Sequence, residues 1–179
     1  VAGINQLQFG ELAGQLLWQR DRFEVRDVVS RSYDGQVWFD FTMAPLGGAV
    51  PGQGVLEVRY QGVEIPQLFQ SMGVMGIRPV ARVSGGNLLE WPLGQFASFR
   101  SEGNFKLEPL ESVQLATTQL PAGVSANVQG RANGSPDLTT STFPLGGEVD
   151  YVATEEWVEL VSGRVATPST HVEFGGGTG

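Results

Sequence analysis

The stretch from Gln36 to Thr42 alternates regularly between apolar and polar side chains. Val37, Phe39 and Phe41 fall on one side of the chain, and the residues between them fall on the other. A β-strand sends successive side chains to opposite faces, whereas a helix repeats every 3.6 residues. The pattern therefore predicts a strand with one apolar face.

The next segment repeats the pattern, and a turn signal precedes the first strand. Leu56, Val58 and Tyr60 alternate with charged residues. Just before the first strand, Asp34-Gly35 is a dipeptide that favours a hairpin turn, because both residues adopt positive φ at low cost. We expect an antiparallel meander in which both apolar sets share one face.

The same reasoning extends strands along most of the chain. Alternation bounded by turn-forming residues predicts strands at 6–9, 13–18, 22–29, 78–84, 87–91, 96–100, 104–107, 138–143, 147–153, 157–165 and 169–174. Within this scheme Gly85-Gly86 and residues 101–103 are interpreted as turns, and 133–137 as another. Residues 109–121 show no clean period, and 124–132 alternate weakly.

One segment follows a helical pattern instead. Ile65, Leu68, Phe69 and Met72 lie at spacings that share one helical face. Pro66 is placed near the first turn, and Gly73 follows the last apolar position, as at many helix ends. We predict one short helix near 64–73, capping one end of the sheet.

Composition limits the class of protein. The chain has 179 residues, 41% hydrophobic residues and a formal net charge of −8, which fits one folded domain over 1–179. The acidic balance disfavours binding to nucleic acid and to anionic lipid headgroups. The sequence shows no signal peptide or transmembrane run, contains no cysteine and begins at Val1, so we expect a mature protein or an excised fragment.

Catalytic chemistry needs convergent polar groups, and the sequence offers few. His171, the single histidine, alternates with its neighbours and is expected on the polar face. The acidic pairs Asp21 with Glu24 and Glu155 with Glu156 are interpreted as solvated surface rather than a glycosidase pair. Asp34, Asp137 and Asp150 lack a calcium-loop signature, and the glycine clusters open no helix. We predict a protein that is not an enzyme, with no cofactor and no metal site.

The four tryptophans allow two interpretations. Trp18, Trp38, Trp91 and Trp157 could stack against sugars in a carbohydrate-binding β-sandwich, or they could pack a core or line a lipid groove. Large aromatic residues on alternating strands usually pack. Trp38 differs from the others because it lies opposite the apolar set and is expected on the second side of the sheet.

Several of these segments together resemble the AsmA-like and TamB-like proteins of the bacterial envelope. Those proteins repeat a strand, a hairpin and a strand, followed by a small helix and a strand that enters Ser-Gly. The corresponding segments here are 12–42, 54–60, 63–73 and 81–88, and residues 160–176 resemble the "strand, Thr-Pro-x-Thr, strand, Gly" ending.

The resemblance implies a fold and a function. The fold would be all-β: a curled, mostly antiparallel sheet forming a half-pipe with an apolar concave face. The family is periplasmic, is anchored to the inner membrane and is thought to conduct lipid acyl chains between the inner and outer membranes. It has also been linked to outer-membrane assembly, which implies a barrel protein as a partner of the rest of the chain. This sequence would then be an internal fragment of a longer repeat protein.

The expected lipid groove follows from the alternation and the resemblance together. We assign to it Leu16, Trp18, Phe23, Val25, Val37, Phe39, Phe41, Leu56, Val58, Tyr60, Val149, Tyr151, Val172 and Phe174. The expected partners are phospholipid acyl chains. The alternative is a closed β-sandwich that binds a glycan or a protein, and a purely structural spacer also remains open.

Overall fold

A computed structural model describes residues 2–4, 7–73, 77–110 and 141–175. The fold is all-β with one short helix, as predicted. The elements, in chain order, are β1 (Ala2–Ile4), β2 (Leu7–Phe9), β3 (Leu12–Trp18), β4 (Phe23–Ser32), β5 (Gly35–Ala44), β6 (Gln53–Glu64), α1 (Ile65–Ser71), β7 (Ile77–Pro92), β8 (Arg100–Pro109), β9 (Ser141–Pro144), β10 (Gly146–Thr154), β11 (Val158–Ala166) and β12 (His171–Gly175).

The main sheet is an open meander. Its strands follow the order β12-β11-β10-β8-β7-β6-β5-β4-β3, each antiparallel to its neighbours, and β9 joins β7 in parallel. The sheet does not close on itself, so the described residues do not form the closed sandwich of the alternative interpretation. A separate hairpin pairs β1 with β2. Predicted features at 111–140 lie outside the described residues.

Helix α1 covers one end of the sheet. It begins after Glu64 and ends before Gly73, whose φ of 69° ends the helical geometry. The helix packs against β7, and a small core forms there from Ile65, Ala81 and Leu107. In the described part of the chain, no helix is long and apolar enough to cross a membrane.

The turns predicted at Gly85-Gly86 and at residues 101–103 are wrong, because their glycines lie inside strands and not where the chain reverses. Gly85 and Gly86 lie inside β7, which runs unbroken for 16 residues. Gly103 likewise lies inside β8. A Cβ on Gly85 would lie 2.1 Å from the backbone oxygen of Asn104. Glycine therefore allows close strand contact here rather than a turn.

The hairpin between β4 and β5 turns one residue earlier than predicted. Tyr33 and Asp34 have φ values of 53° and 59°, and these are the two positive-φ positions of the turn. Gly35 is already paired with Ser32 in the ladder. Because Gly35 has no Cβ, the backbone of Val63 can lie close to it. A Cβ at this position would be only 2.6 Å from Val63 Cα.

Two β-bulges, one in β4 and one in β6, share the same hydrogen-bonding arrangement. Asp27 (φ 52°) is the extra residue in β4, and its N–H donates to Asp40 Oδ1 at 2.7 Å. Gly62 (φ 65°) is the extra residue in β6, and its N–H donates to Ser84 Oγ at 2.9 Å. In each case a side chain on the adjacent strand satisfies the donor that the bulge displaces from the ladder.

The sheet curls, and contacts across intervening strands identify its inner face. Strands two positions apart lie about 9.5 Å apart in a flat sheet, yet the rings of Phe41 on β5 and Trp91 on β7 stack at 5.9 Å. Tyr60 on β6 donates a hydrogen bond to the backbone carbonyl of Asn104 on β8, across Gly85 of β7. These contacts share one face, which is the inner side of the curl.

Candidate functional site

The strand register separates the side chains into an apolar face and a charged face. Residues directly opposite each other in a ladder share a face, so a row can be followed from strand to strand. One such row reads Ser30, Val37, Tyr60, Gly85, Phe105, Val149, Gly163 and Phe174. Among the described positions of β3–β8 and β10–β12, the apolar face carries no Asp, Glu, Lys, Arg or His.

All fourteen residues assigned to the groove lie on this apolar face. Val37, Phe39 and Phe41 pair with Tyr60, Val58 and Leu56 of β6. Strand pairing places the other members on the same face, through the pairs Leu16–Val25, Trp18–Phe23, Tyr151–Leu160, Val149–Gly163 and Gly163–Phe174. Val172 lies two residues before Phe174 on β12 and therefore shares its face. That these residues hold lipid stays a prediction.

The apolar face extends further than the sequence assignment. The residues that it missed include Val28, Met43, Val63, Leu89, Trp91, Phe105, Leu107, Leu160 and Val165. A signal for part of this set was present, since Val83, Gly85, Asn87, Leu89 and Trp91 keep one parity through the glycines of β7. Interpreting Gly85-Gly86 as a turn broke that pattern.

The opposite face of the sheet is covered by charge pairs. Most of them join residues two apart on one strand, as in Arg59–Glu57 at 2.7 Å and Arg100–Glu102 at 2.7 Å. Arg164–Glu148 at 3.2 Å joins neighbouring strands. Trp38 lies on this face, opposite Val29 and Arg59, as predicted. Ion pairs therefore lie on the outer face from β4 to β12, alongside apolar residues such as Leu17 and Leu88, which are each 37% exposed.

Glu24 corrects one expectation for this face. It was expected on the solvated surface beside Asp21, but it is only 2% exposed. Arg22 contacts Glu24 Oε1 at 2.8 Å, and Arg26 contacts Oε2 from the other side. Both arginines lie two residues away on the same side of β4, so their guanidinium groups cover the carboxylate.

The candidate catalytic and metal groups are dispersed. His171 lies on the charged face, as predicted, but its ring is largely covered and contacts Glu173 at 3.0 Å. Within 2–4, 7–73, 77–110 and 141–175, no three His, Cys, Asp or Glu side chains gather where a metal ion could bind. Asp137 lies outside those ranges.

The apolar face is most open at the edge strand β3 and at β11, which lies next to the other edge strand. Trp18 and Leu16 of β3 are 74% and 66% exposed, and Val158 and Leu160 of β11 are 65% and 51% exposed. Toward the centre the side chains cover one another, and Val149 is nearly buried. Open apolar area of this kind on a protein surface marks an interaction site.

The two ends of the strands differ in how they limit the apolar face. At the helix end, α1 and the core around Ile65 cover it. At the opposite, aromatic end, a chain of ring contacts crosses the sheet. The rings, with successive centroids 5.2–6.0 Å apart, are Trp18, Phe23, Phe41, Trp91, Phe96 and Phe99. Trp157 lies outside this chain, in the connection before β11.

A small polar cluster interrupts the apolar face on the central strand, β7. Asn87 Oδ1 accepts hydrogen bonds from Ser101 Oγ at 2.6 Å and from Tyr151 Oη at 3.1 Å. Burial, together with nearby Tyr151, raises the pKa of Tyr60 to about 12, and burial also raises the pKa of Tyr151. Both phenols are therefore neutral hydrogen-bonding groups at physiological pH.

Comparison of the chain with protein-family models, with curated proteins and with solved structures finds no match.

Proposed function

We propose that this chain is a lipid-holding trough, in which acyl chains lie against the inner, apolar face of the curled sheet. The observation that supports it is the separation of charge between the two faces. Eight of the nine main strands carry charged residues, all on one side, and the described residues provide no second main sheet over the other side. The small hairpin approaches this side, with the ring of Phe9 6.3 Å from the ring of Phe39, and α1 covers its helix end.

The mechanism requires no catalytic residue. Acyl chains leave water for the apolar face, with a gain of about 0.8 kcal/mol for each buried CH₂ group. Polar headgroups stay in solvent beyond the open rim. Because the apolar face carries no charged residue among its described positions, a chain that moves across the strands meets no ionic barrier there, and the polar cluster around Asn87 interrupts its path on β7. We propose a binding and conducting role rather than an enzymatic one.

The wider setting rests on the resemblance to the AsmA-like and TamB-like proteins. In that setting the chain is a segment of a longer periplasmic protein anchored to the inner membrane. It shields or conducts phospholipid between the two membranes, or supports outer-membrane assembly alongside a barrel protein. The outward edges of β3 and β12, which pair with no other strand among the described residues, support this setting, since further strands could extend the same sheet on either side.

Mass spectrometry of organic extracts tests the proposal directly. The full chain is purified without detergent, extracted, and its phospholipid is quantified against protein. We expect near-stoichiometric phospholipid. Lipid at trace levels, together with a stable dimer in light scattering that hides the apolar face, would contradict the proposal.

A charge placed on the apolar face provides the matched test. Phe39→Asp puts a carboxylate on the half-buried centre of β5, and Gln36→Asp puts the same group on the charged face of that strand. In an open trough the carboxylate of the first variant stays hydrated, so the fold survives while bound lipid falls. Gln36→Asp should keep its lipid. An unfolded Phe39→Asp, with wild type free of lipid, would indicate a sealed core instead.

A further inference from the structure

The amide oxygen of Asn87 is engaged by two hydroxyl groups. It accepts from the hydroxyls of Ser101 and Tyr151, and these two bonds occupy both acceptor positions of the carbonyl. The NH₂ group lies on the other side of the side chain, away from these two hydroxyls.

That NH₂ group has no hydrogen-bond partner among the described residues. Its surroundings are apolar or already paired: Val58 lies opposite on β6, Gly103 lies opposite on β8, and Leu89 follows on the same face. The NH₂ nitrogen is not a buried, unpaired atom, so it is open to solvent in the free protein. A ligand that covers it without offering a hydrogen-bond acceptor leaves its two donors unpaired, which is costly.

We propose that Asn87 binds the ester carbonyl of a fatty acyl chain that lies in the trough. This inference rests on the proposed function and names the chemical group recognised at its centre. A neutral carbonyl fits better than a carboxylate, because the apolar face carries no cation among its described positions and the arginines lie on the other face. The neutral phenols of Tyr60 and Tyr151 leave the position uncharged.

The position of Asn87 also suits an acyl chain. It lies on β7, with four strands on either side in the main sheet. At about 4.8 Å per strand, this gives about 19 Å of apolar surface in each direction. A carbonyl bound at Asn87 would leave the hydrocarbon tail extended over Val58 and Phe39 or over Tyr151 and Leu160.

Two lipids that differ only in the carbonyl test this inference. The probes are lysophosphatidylcholine with a palmitoyl ester and its hexadecyl ether analogue, both below the concentration at which micelles form. Binding to the full chain is followed by calorimetry. We expect wild type to bind the ester about threefold to tenfold more tightly, as one net hydrogen bond allows.

Three variants test whether the preference for the ester lipid over the ether lipid depends on Asn87. Asn87→Leu should bind the ester and the ether equally, with the ether affinity close to that of wild type. Ser101→Ala should reduce the preference, because Ser101 is a positioning residue that helps to fix the amide. Leu89→Ala, on the same strand and face, should weaken both lipids equally and keep the preference.

The outcomes separate this inference from the proposed function. If wild type binds both lipids with equal affinity, the trough stands and the carbonyl site is wrong. If Asn87→Leu keeps the ester preference, the site is also wrong. If neither lipid binds, the proposed function itself fails. If Asn87→Leu does not fold, Ser101→Ala and Asn87→Ala decide in the same way.

Discussion

The indole of Trp91 stacks on the ring of Phe41 with 5.9 Å between centroids and an interplanar angle of 18°. Their strands are separated by β6, where Gly54 lies beneath the indole. A Cβ on Gly54 would lie 2.3 Å from Trp91 Cε2. The contact that bends the sheet at its aromatic end thus depends on a missing side chain.

The first prediction concerns that contact. Gly54→Val should displace the indole and separate the two rings, with a loss of about 1–3 kcal/mol in the free energy of unfolding. Urea unfolding measures the loss, and near-ultraviolet circular dichroism reports the ring packing. A variant with wild-type stability and an unchanged aromatic signal would show that Trp91 is not fixed over Gly54.

The second prediction compares two adjacent glycines of β7. Gly85→Ala should be destabilising by about 1–3 kcal/mol, because the new Cβ would approach Asn104 O to 2.1 Å. Gly86→Ala should be close to neutral, because its nearest contact, Val58 O at 3.5 Å, is an ordinary one. Urea unfolding of both variants is the measurement. Equal losses would contradict the register of β7 with β8.

The third prediction follows from the pKa of Tyr60. Burial raises that pKa to about 12 from 10.0, so the unfolded chain releases this proton at lower pH than the folded chain does. The stabilisation is fully present below pH 10 and should be lost as the pH rises from about 10 to 12. The urea midpoint of wild type should fall across this window, and Tyr60→Phe should show a smaller fall. Identical profiles for the two proteins would argue against a buried phenol.

The fourth prediction contrasts two carboxylates of the charged face. Glu24→Ala removes a buried acceptor contacted by Arg22 and Arg26, and should cost about 1–3 kcal/mol in unfolding free energy. Glu102→Ala breaks an exposed pair with Arg100 and should cost less than about 1 kcal/mol. Thermal and urea unfolding provide both values. The ranking is the critical result, and a reversed order would refute the role given to Glu24.

Alternation predicted the faces of the sheet well, because a period of two records the direction of each side chain. Val37, Phe39 and Phe41 needed no tertiary information to be placed together. The α1 boundaries were also close, since Pro66 and Gly73 act locally. These features depend on short-range backbone preferences that a single sequence contains.

The features that were missed depend on contacts between distant strands. Gly85 was interpreted as a turn because its reason for being glycine lies at Asn104, in another strand. Asn87 was not recognised as a polar site because Ser101 and Tyr151, its two donors, lie 14 and 64 residues away in sequence. Glu24 gave no sign of burial, because a charged residue between two arginines is normally solvated.

The layout of charge on the outer face has a mechanical consequence. Pairs such as Arg59–Glu57, Arg100–Glu102 and Lys106–Glu108 join residues of a single strand. They add cohesion along each strand but little between strands, so the outer surface offers little electrostatic resistance to bending. A change in the curvature of the sheet would therefore leave these ion pairs within single strands intact.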